Sequence, residues 1–475
     1  MQVEVEKESW EPAPLTASKS AIPKFYLRKI SRTLHCAATF SLMSSPESSP
    51  SSSAPMVELT PAEIAAKKLK HTQHLQIFIT VLIDLIGFGI MIPIIQPLVG
   101  EIAVKSGWNR TLMESFIMGV YSLMQFLFSP VFGRISDRVG RRPVILFSLV
   151  GSLLGYLILA SATNAAIPPT VALTMIFLAR IATGICGASV ATAQAYLADI
   201  TAPEKRAGVM GMIGAAFGMG FVLGPLIGGV TSRWGLAVPF LVAASLTVYN
   251  LVQCYRKLPE SLPPEKRGQR DHSRTSLLAT ISHFRGTPFV AILLTNFLTI
   301  TAFSMMTTAF VPFAKYHFHF TSENIGYVFC YLGLIGIFIQ GGLIRKIARH
   351  GREKRLAVGG IVVMVVALVL MPQSTPWLTL LGVMAMLSAG NSFATPTLNA
   401  LASRWGTVQT QGETMGAMSS AGSLGRFFGA MTVGLAMYFA GEAAQFQYAF
   451  WVSAGIMALA ALLAMRIRQP QVSAS

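Results

Sequence analysis

The sequence predicts an all-α membrane protein of twelve transmembrane helices in two pseudo-symmetric six-helix bundles. Hydrophobic residues make up 53% of the 475-residue chain, charged residues only 12%, and mean hydropathy is +0.57. Soluble domains carry about 25% charged residues, so this chain lacks the polar surface that water requires. Apolar stretches of about 20 residues, long enough to cross a bilayer, recur along the chain from about Gln76 to Arg466. Positive charge gathers in alternate loops between them. The formal charge of +17, from 37 Lys+Arg against 20 Asp+Glu, therefore sets membrane orientation and marks no nucleic-acid surface.

In chain order, residues 1–75 read as a mostly disordered cytoplasmic tail. They open with Glu4, Glu6, Glu8 and Glu11, pass a basic patch (Lys24, Arg28, Lys29, Arg32) and reach the run SSPESSPSSSAP ending at Pro55, a composition that packs no core. The apolar stretch at 33–43 is too short to span; an organellar targeting segment and an over-extended start before Met43 or Met56 are both open readings. Spans follow near 76–98, 112–133, 143–162, 168–193, 206–230 and 236–255, forming an N-terminal bundle over 76–255. A cytoplasmic linker occupies 256–285. The second bundle, 286–466, holds spans near 286–312, 323–344, 355–371, 377–400, 412–440 and 444–465, and 467–475 is a short tail. Lys67, Lys68 and Lys70 precede span 1. Arg134, Arg138, Arg141 and Arg142 follow span 2, and Lys205 and Arg206 follow span 4. The linker, then Arg345, Lys346, Arg349, Arg352, Lys354 and Arg355, and finally Arg466 and Arg468 continue the series. Both termini are therefore expected in the cytoplasm, in a plasma or inner membrane.

The most specific local pattern is Gly133-Arg-Ile-Ser-Asp137-Arg138-Val-Gly140-Arg141-Arg142-Pro143, between spans 2 and 3. Gly133 and Gly140 permit close backbone approach and a tight turn, and Pro143 can open a helix without an intrahelical N–H bond. Asp137 can accept from helix N-terminal amides or an Arg fork, latching this loop to a neighbouring helix in one state of the protein. This is a gating role.

Here the sequence resembles a known family. The loop looks like the signature of the major facilitator superfamily, and the wider pattern resembles its drug–proton antiporters of the tetracycline-efflux type. Span 1, VLIDLIGFGIMIPIIQPLVG, is similar to that group's opening helix, with Asp84 at the acidic position and Gly87, Pro93 and Pro97 in place. Span 4 matches an Arg-x3-Gly element through Arg180 and Gly184 and ends in an Ala-Asp pair at Asp199; span 5 looks like the antiporter motif through Gly214, Gly218, Gly224, Pro225, Gly228 and Gly229. The resemblance covers about 70–466 and implies the major facilitator fold and secondary transport.

The residues carry the same roles by their chemistry. A carboxylate in an apolar helix is a functional candidate by default, and opposing influences on Asp84 would let it exchange a proton as access changes; capping or latching a neighbouring helix is its structural alternative. Arg180 stays charged, so its role is to influence a carboxylate or hold a water network, with snorkelling as the structural alternative. Asp199, Glu204 and Arg206 read as a gate charge network. The span 5 glycines let helices approach closely, and Pro225 can bend the span. In the second half, the loop from Gly342 to Glu353 offers Arg345 and Lys346 where the first has Asp137, so its latch is missing or differently built. Glu413 begins span 11 and Arg426 lies within it, a region against which Asp137 could latch. No Asp or Glu lies in the apolar centres of spans 7 to 12. Gln125, Asn296, Phe303, Asn391, Phe393 and Asn399 are candidate cavity residues, each equally explained by an interhelical hydrogen bond or packing.

These observations predict a proton-coupled secondary transporter that exports a small hydrophobic or amphipathic compound by alternating access, in the lipid bilayer and as a monomer by default. A facilitative or proton-coupled carrier of a sugar or other small metabolite is the competing reading; a receptor or chaperone on a transporter-like fold is a third. No P-loop argues for ATP, His317 and His319 fall short of a metal-ligand set, and Cys36, Cys186, Cys254 and Cys330 show no CxxC spacing. No cofactor, metal, nucleic acid or catalytic residue is implied.

Overall fold

Long apolar segments that must satisfy every backbone group internally become helices in lipid, and the described residues contain helices and turns with no strand. The computed structural model describes residues 61–187, 189–201, 206–268, 277–343, 352–405, 411–440 and 445–467. The predicted disordered tail and Cys36 lie outside them, apart from the helical residues that follow 60. The first-half helices are α1 (Pro61–Lys105), α2 (Arg110–Val139), α3 (Arg141–Ala162), α4 (Pro169–Cys186), α5 (Ser189–Ile200), α6 (Arg206–Thr231) and α7 (Val238–Lys257). After the short α8 (Leu277–His283) come α9 (Pro288–Phe318), α10 (Ser322–Phe338), α11 (Glu353–Leu370), α12 (Trp377–Ser403), α13 (Gln411–Ala440) and α14 (Gln445–Arg466). Eleven segments among the described residues are long and apolar enough to cross a membrane, with 169–200 counted as one. The 30-residue α13 is the remaining long helix; Thr414, Ser419, Ser420, Ser423 and Arg426 make it more polar.

Several details depart from the sequence reading. The Gly133–Arg138 motif is the last part of α2, and the interruption between spans 2 and 3 is Gly140 alone, with φ +113°. The chain has no need of a longer loop, because Gly140 turns directly into Arg141 and its N–H closes α2 on the Ser136 carbonyl at 3.1 Å. In span 4, α4 reaches Cys186 and α5 begins at Ser189, with 188 outside the described residues and the Gly187 N–H bonded to the Thr183 carbonyl at 2.8 Å. Within the linker, Leu277–His283 is helical. After α10, Ile339–Leu343 form a π-helical turn, where two consecutive glycines let the coil widen.

The buried cores separate by half. The largest cluster draws on Phe284 to Ile467 with Ile92 as its one residue from the first half, and the other clusters lie between Ile77 and Leu258. Large side chains such as Phe147, Leu154, Leu178, Phe338 and Phe439 are more than half exposed, as lipid-facing positions of a membrane helix are. Lipid supplies no hydrophobic drive between helices, so close approach depends on small residues. Gly89 and Gly224 do this for α1 and α6: a Cβ on Gly89 would stand 2.9 Å from the Gly224 Cα.

Candidate functional site

Midway along α2 and α13, side chains from both halves meet. α2 packs along α13, and α6 along α10. Arg426 of α13 donates from Nη2 to Gln125 Oε1 of α2 at 2.8 Å and to Ser423 Oγ at 2.9 Å, while Ser423 Oγ donates to Gln125 Oε1 at 3.1 Å. Gln125 Nε2 in turn donates to the Gly187 carbonyl at 3.1 Å, where α4 ends. The Arg426 carbonyl accepts from Ser304 Oγ of α9 at 3.0 Å. Residues of α2, α9 and α13 and the end of α4 are therefore linked around Arg426, whose guanidinium itself bonds α2 and its own helix.

Beside this cluster stands an aromatic group. The Phe88 ring lies 5.1 Å from Tyr121 and 6.2 Å from Phe221, centroid to centroid. Arg180, 1% exposed, lies over the Tyr121 ring at 4.6 Å and donates to the Ile117 carbonyl at 3.3 Å and the Met91 sulfur at 3.0 Å. Its partners here are a ring, a carbonyl and a thioether. Gly184 makes room for this arrangement: a Cβ there would sit 2.6 Å from the Tyr121 carbonyl oxygen. Asp84 is half-buried and, with Arg180 and Arg426, lies within electrostatic reach of the Tyr121 hydroxyl. One turn before it, Thr80 donates to Asn250 Oδ1 of α7 at 3.1 Å. The space beside Gly87 is filled by Tyr156.

The predicted gate residues form a network at the end of the bundle that carries the basic loops. Arg141, 1% exposed, donates to Asp137, to Ser136 Oγ and to Asp199 Oδ2, the last at 3.1 Å. Asp137 is bound one turn along the chain, within the first half. Sequence reasoning missed Glu260, which follows α7. Its Oε1 accepts from the Arg141 N–H at 2.8 Å and its Oε2 from the Arg142 N–H at 3.2 Å, so this carboxylate caps the N-terminus of α3. Tyr196 Oη holds the same segment through the Pro259 carbonyl at 2.8 Å. The available signal was a lone carboxylate between Pro259 and Pro263, directly after a basic helix end. In the second half, Glu353 at the start of α11 pairs with Arg404 at the end of α12. Arg138 lies in the last turn of α2 and Gly133 meets open space. Glu204, Arg345 and Lys346 lie outside the described residues, as do the side chains of Arg206 and Glu413.

The remaining candidates disperse. Asn296 is buried and donates to the Met418 carbonyl at 3.3 Å, a link from α9 to α13. Asn391 accepts from Thr395 Oγ1 at 2.9 Å within α12, Phe393 packs at Gly360 of α11, and Asn399 is exposed. Phe303 packs on the second-half core. In α6, Gly224 and Gly228 pack on α1 and Gly229 on α10, but a Cβ on Gly214 or Gly218 would meet nothing.

Contacts between the halves concentrate away from the basic loops. Gln96 Nε2 of α1 donates to the Thr308 carbonyl of α9 at 2.9 Å. A Cβ on Gly229 would stand 3.1 Å from the Gly326 Cα, and one on Gly434 2.6 Å from the Ser115 Cβ. Arg233 pairs with Glu323 across the same end.

Membrane-length helices with a polar cluster midway along α2 and α13 make a multi-span membrane protein, and with the family that follows they define a transporter of small solutes across a bilayer and no catalytic enzyme. The family model described as Major Facilitator Superfamily matches residues 77–430 and 345–475, and the chain belongs to that family. Among similar proteins is the tetracycline resistance protein, class C, of Escherichia coli, 31% identical over 391 residues that cover 82% of this chain and 94% of that protein. Major facilitator superfamily domain-containing protein 10 of Mus musculus is 28% identical, covering 83% of this chain and 92% of that one. The structure of the human organic anion transporter MFSD10 (TETRAN) superposes with a TM-score of 0.65 at 26% identity, covering 83% of this chain and 99% of that one. A D-xylose-proton symporter at 16% identity, with a TM-score of 0.68 over 84% of this chain and 98% of that one, shares the fold. The likeness therefore spans both tetracycline resistance and MFSD10 proteins and does not single out one subgroup.

Proposed function

We propose that the chain is an alternating-access carrier of a small organic metabolite, facilitative or coupled to protons, with its solute site at mid-depth between two six-helix bundles, 76–255 and 286–466. The observation that carries this reading is the Arg426–Gln125–Ser423 cluster, in which a guanidinium within a membrane helix is held across the two halves. Ionisable groups at that depth are expensive to keep and mark solute or ion pathways. The distribution of contacts supports the motion. Gln96, Gly229, Gly434 and the Arg233–Glu323 pair join the halves at one end, while Gly214, Gly218 and Gly416 face open space toward the other. With the basic loops cytoplasmic, that geometry is an inward-open state, and the network of Asp137, Arg141, Asp199 and Glu260 would shift as that end closes.

Asp84 favours a second reading, a proton-coupled exporter of amphipathic compounds, because it is the acidic side chain near Tyr121 and a tetracycline resistance protein is among the relatives. Proteoliposomes with an internal pH dye separate the two when challenged with neutral, cationic and zwitterionic compounds. Solute movement that carries protons in wild type and not in Asp84→Asn would assign the coupling to Asp84. Equal proton movement in both proteins removes Asp84 from the coupling step, and solute movement without protons establishes facilitated transport.

A further inference from the structure

Where α3 and α7 pack along each other, they leave a cleft of about 580 Å³ lined by Phe147 and Val150 of α3 and by Leu251, Val252, Tyr255 and Arg256 of α7. Phe147 is 65% exposed and Tyr255 68%, so the cleft opens outward to lipid. α3 begins and α7 ends on the side of the basic loops. Tyr255 and Arg256, in the last turn of α7, therefore stand at the bilayer boundary, with Val150 and Leu251 deeper. Arg142, in the first turn of α3, bends onto the same mouth. Its Nη2 donates to the Tyr255 carbonyl at 2.6 Å, and its guanidinium carbon lies 5.8 Å from the centre of the Tyr255 ring. Lys257 follows Arg256 at the helix end. The acid that follows in the chain, Glu260, accepts from the backbone N–H groups of Arg141, Arg142, Ser261 and Leu262, so its charge is directed into the cap of α3. An apolar hollow below a basic mouth matches the two parts of a lipid with a negative headgroup.

We propose that this cleft holds an anionic phospholipid of the leaflet on the side of the basic loops. The upper methylenes of one acyl chain lie between Phe147, Val150, Leu251 and Val252, and the phosphate lies against Arg256, in the field of Arg142 and Lys257. Phe147 to Val150 spans about 5 Å of helix, so the first part of the chain enters and the rest follows the lipid surface. A zwitterionic lipid brings the same chain with a positive group that these cations repel, and so charge selects the occupant. The site is on the outside of the first half and stands apart from any solute reading of the Arg426 cluster.

The purified full chain in detergent is titrated with dioleoyl phosphatidylglycerol or dioleoyl phosphatidylcholine, and the first-bound lipid is followed by native mass spectrometry; glycerol phosphate serves as the headgroup alone. Wild type should hold phosphatidylglycerol at least about tenfold more tightly than phosphatidylcholine, because each basic residue at the surface is worth about fivefold toward an anionic lipid. Arg256→Gln should cut that preference about fivefold. Val150→Trp fills the hollow and should weaken the first-bound phosphatidylglycerol while leaving every charge in place. Both positions are exposed in the structure, and wild-type melting of the variants checks that they fold. Equal retention of the two lipids by wild type, a preference unchanged in Arg256→Gln, lipid binding unchanged in Val150→Trp, or displacement of phosphatidylglycerol by glycerol phosphate overturns the proposal.

Discussion

Gly140 and Glu260 show how one residue sets the geometry of the gate network. With φ at +113°, Gly140 occupies backbone space that side chains avoid, and a Cβ there would land on the Glu260 carboxylate that caps α3. Gly140→Ala should therefore cost about 1–3 kcal/mol, from backbone strain and a displaced cap, and lower the melting temperature of the purified protein in detergent by several degrees. Wild-type melting in that variant would show the turn to be tolerant and the cap dispensable. The glycine was legible in the sequence because a tight turn between two spans demands one. Its partner was not, since Glu260 lies 119 residues from Arg141 and only the packing of α7 beside α3 brings it there. Arg426 is similar: its place inside span 11 was plain, but its bond to Gln125 joins residues 301 apart.

Helix ends in the two halves are clamped at matching places with opposite polarity. In the first half the cation, Arg141, starts α3 and the anion, Asp199, ends α5; in the second the anion, Glu353, starts α11 and the cation, Arg404, ends α12. A search for a second Asp at the position of Asp137 overlooks this, because attraction depends on complementary charge and either order satisfies it. Glu353 is 7% exposed, so a partner lost there leaves a poorly solvated charge. Glu353→Arg or Arg404→Glu alone should each destabilise by about 1.5–3 kcal/mol, and the double exchange should recover most of that loss in thermal melting. A double exchange no better than the singles would mean that the pair is an incidental contact. The elements themselves were largely legible, because spans of about 20 apolar residues specify helices in lipid. Their ends were less so: α2 runs through the motif to Val139, since tertiary contacts and caps, and not hydropathy, decide where a helix stops.

Across the whole molecule, the proposed rocking of the two halves requires the contacts opposite the basic loops to part. Arg233 and Glu323 lie at that end, next to the close approach of Gly229 and Gly326. Replacing both with cysteine and oxidising should hold this end shut, reduce solute flux at least about tenfold, as loss of an obligatory conformational step does, and restore it on reduction. Full flux through the cross-linked protein would exclude separation at this end from the transport cycle. The sequence by itself determined the membrane class, the order of the long helices, the basic loops and the family, because hydropathy, charge placement and local motifs are properties of contiguous residues. Only the tertiary structure decided that Asp137 is held by Arg141, that Glu260 and Arg404 belong to the helix-end networks, that Gly214 and Gly218 face open space while Gly224 and Gly228 are packed, and that Arg426 meets Gln125 between the halves. Each of those facts depends on which helices lie side by side, and in a bilayer that choice is made by shape and polar contact between helices whose apolar surfaces are otherwise interchangeable.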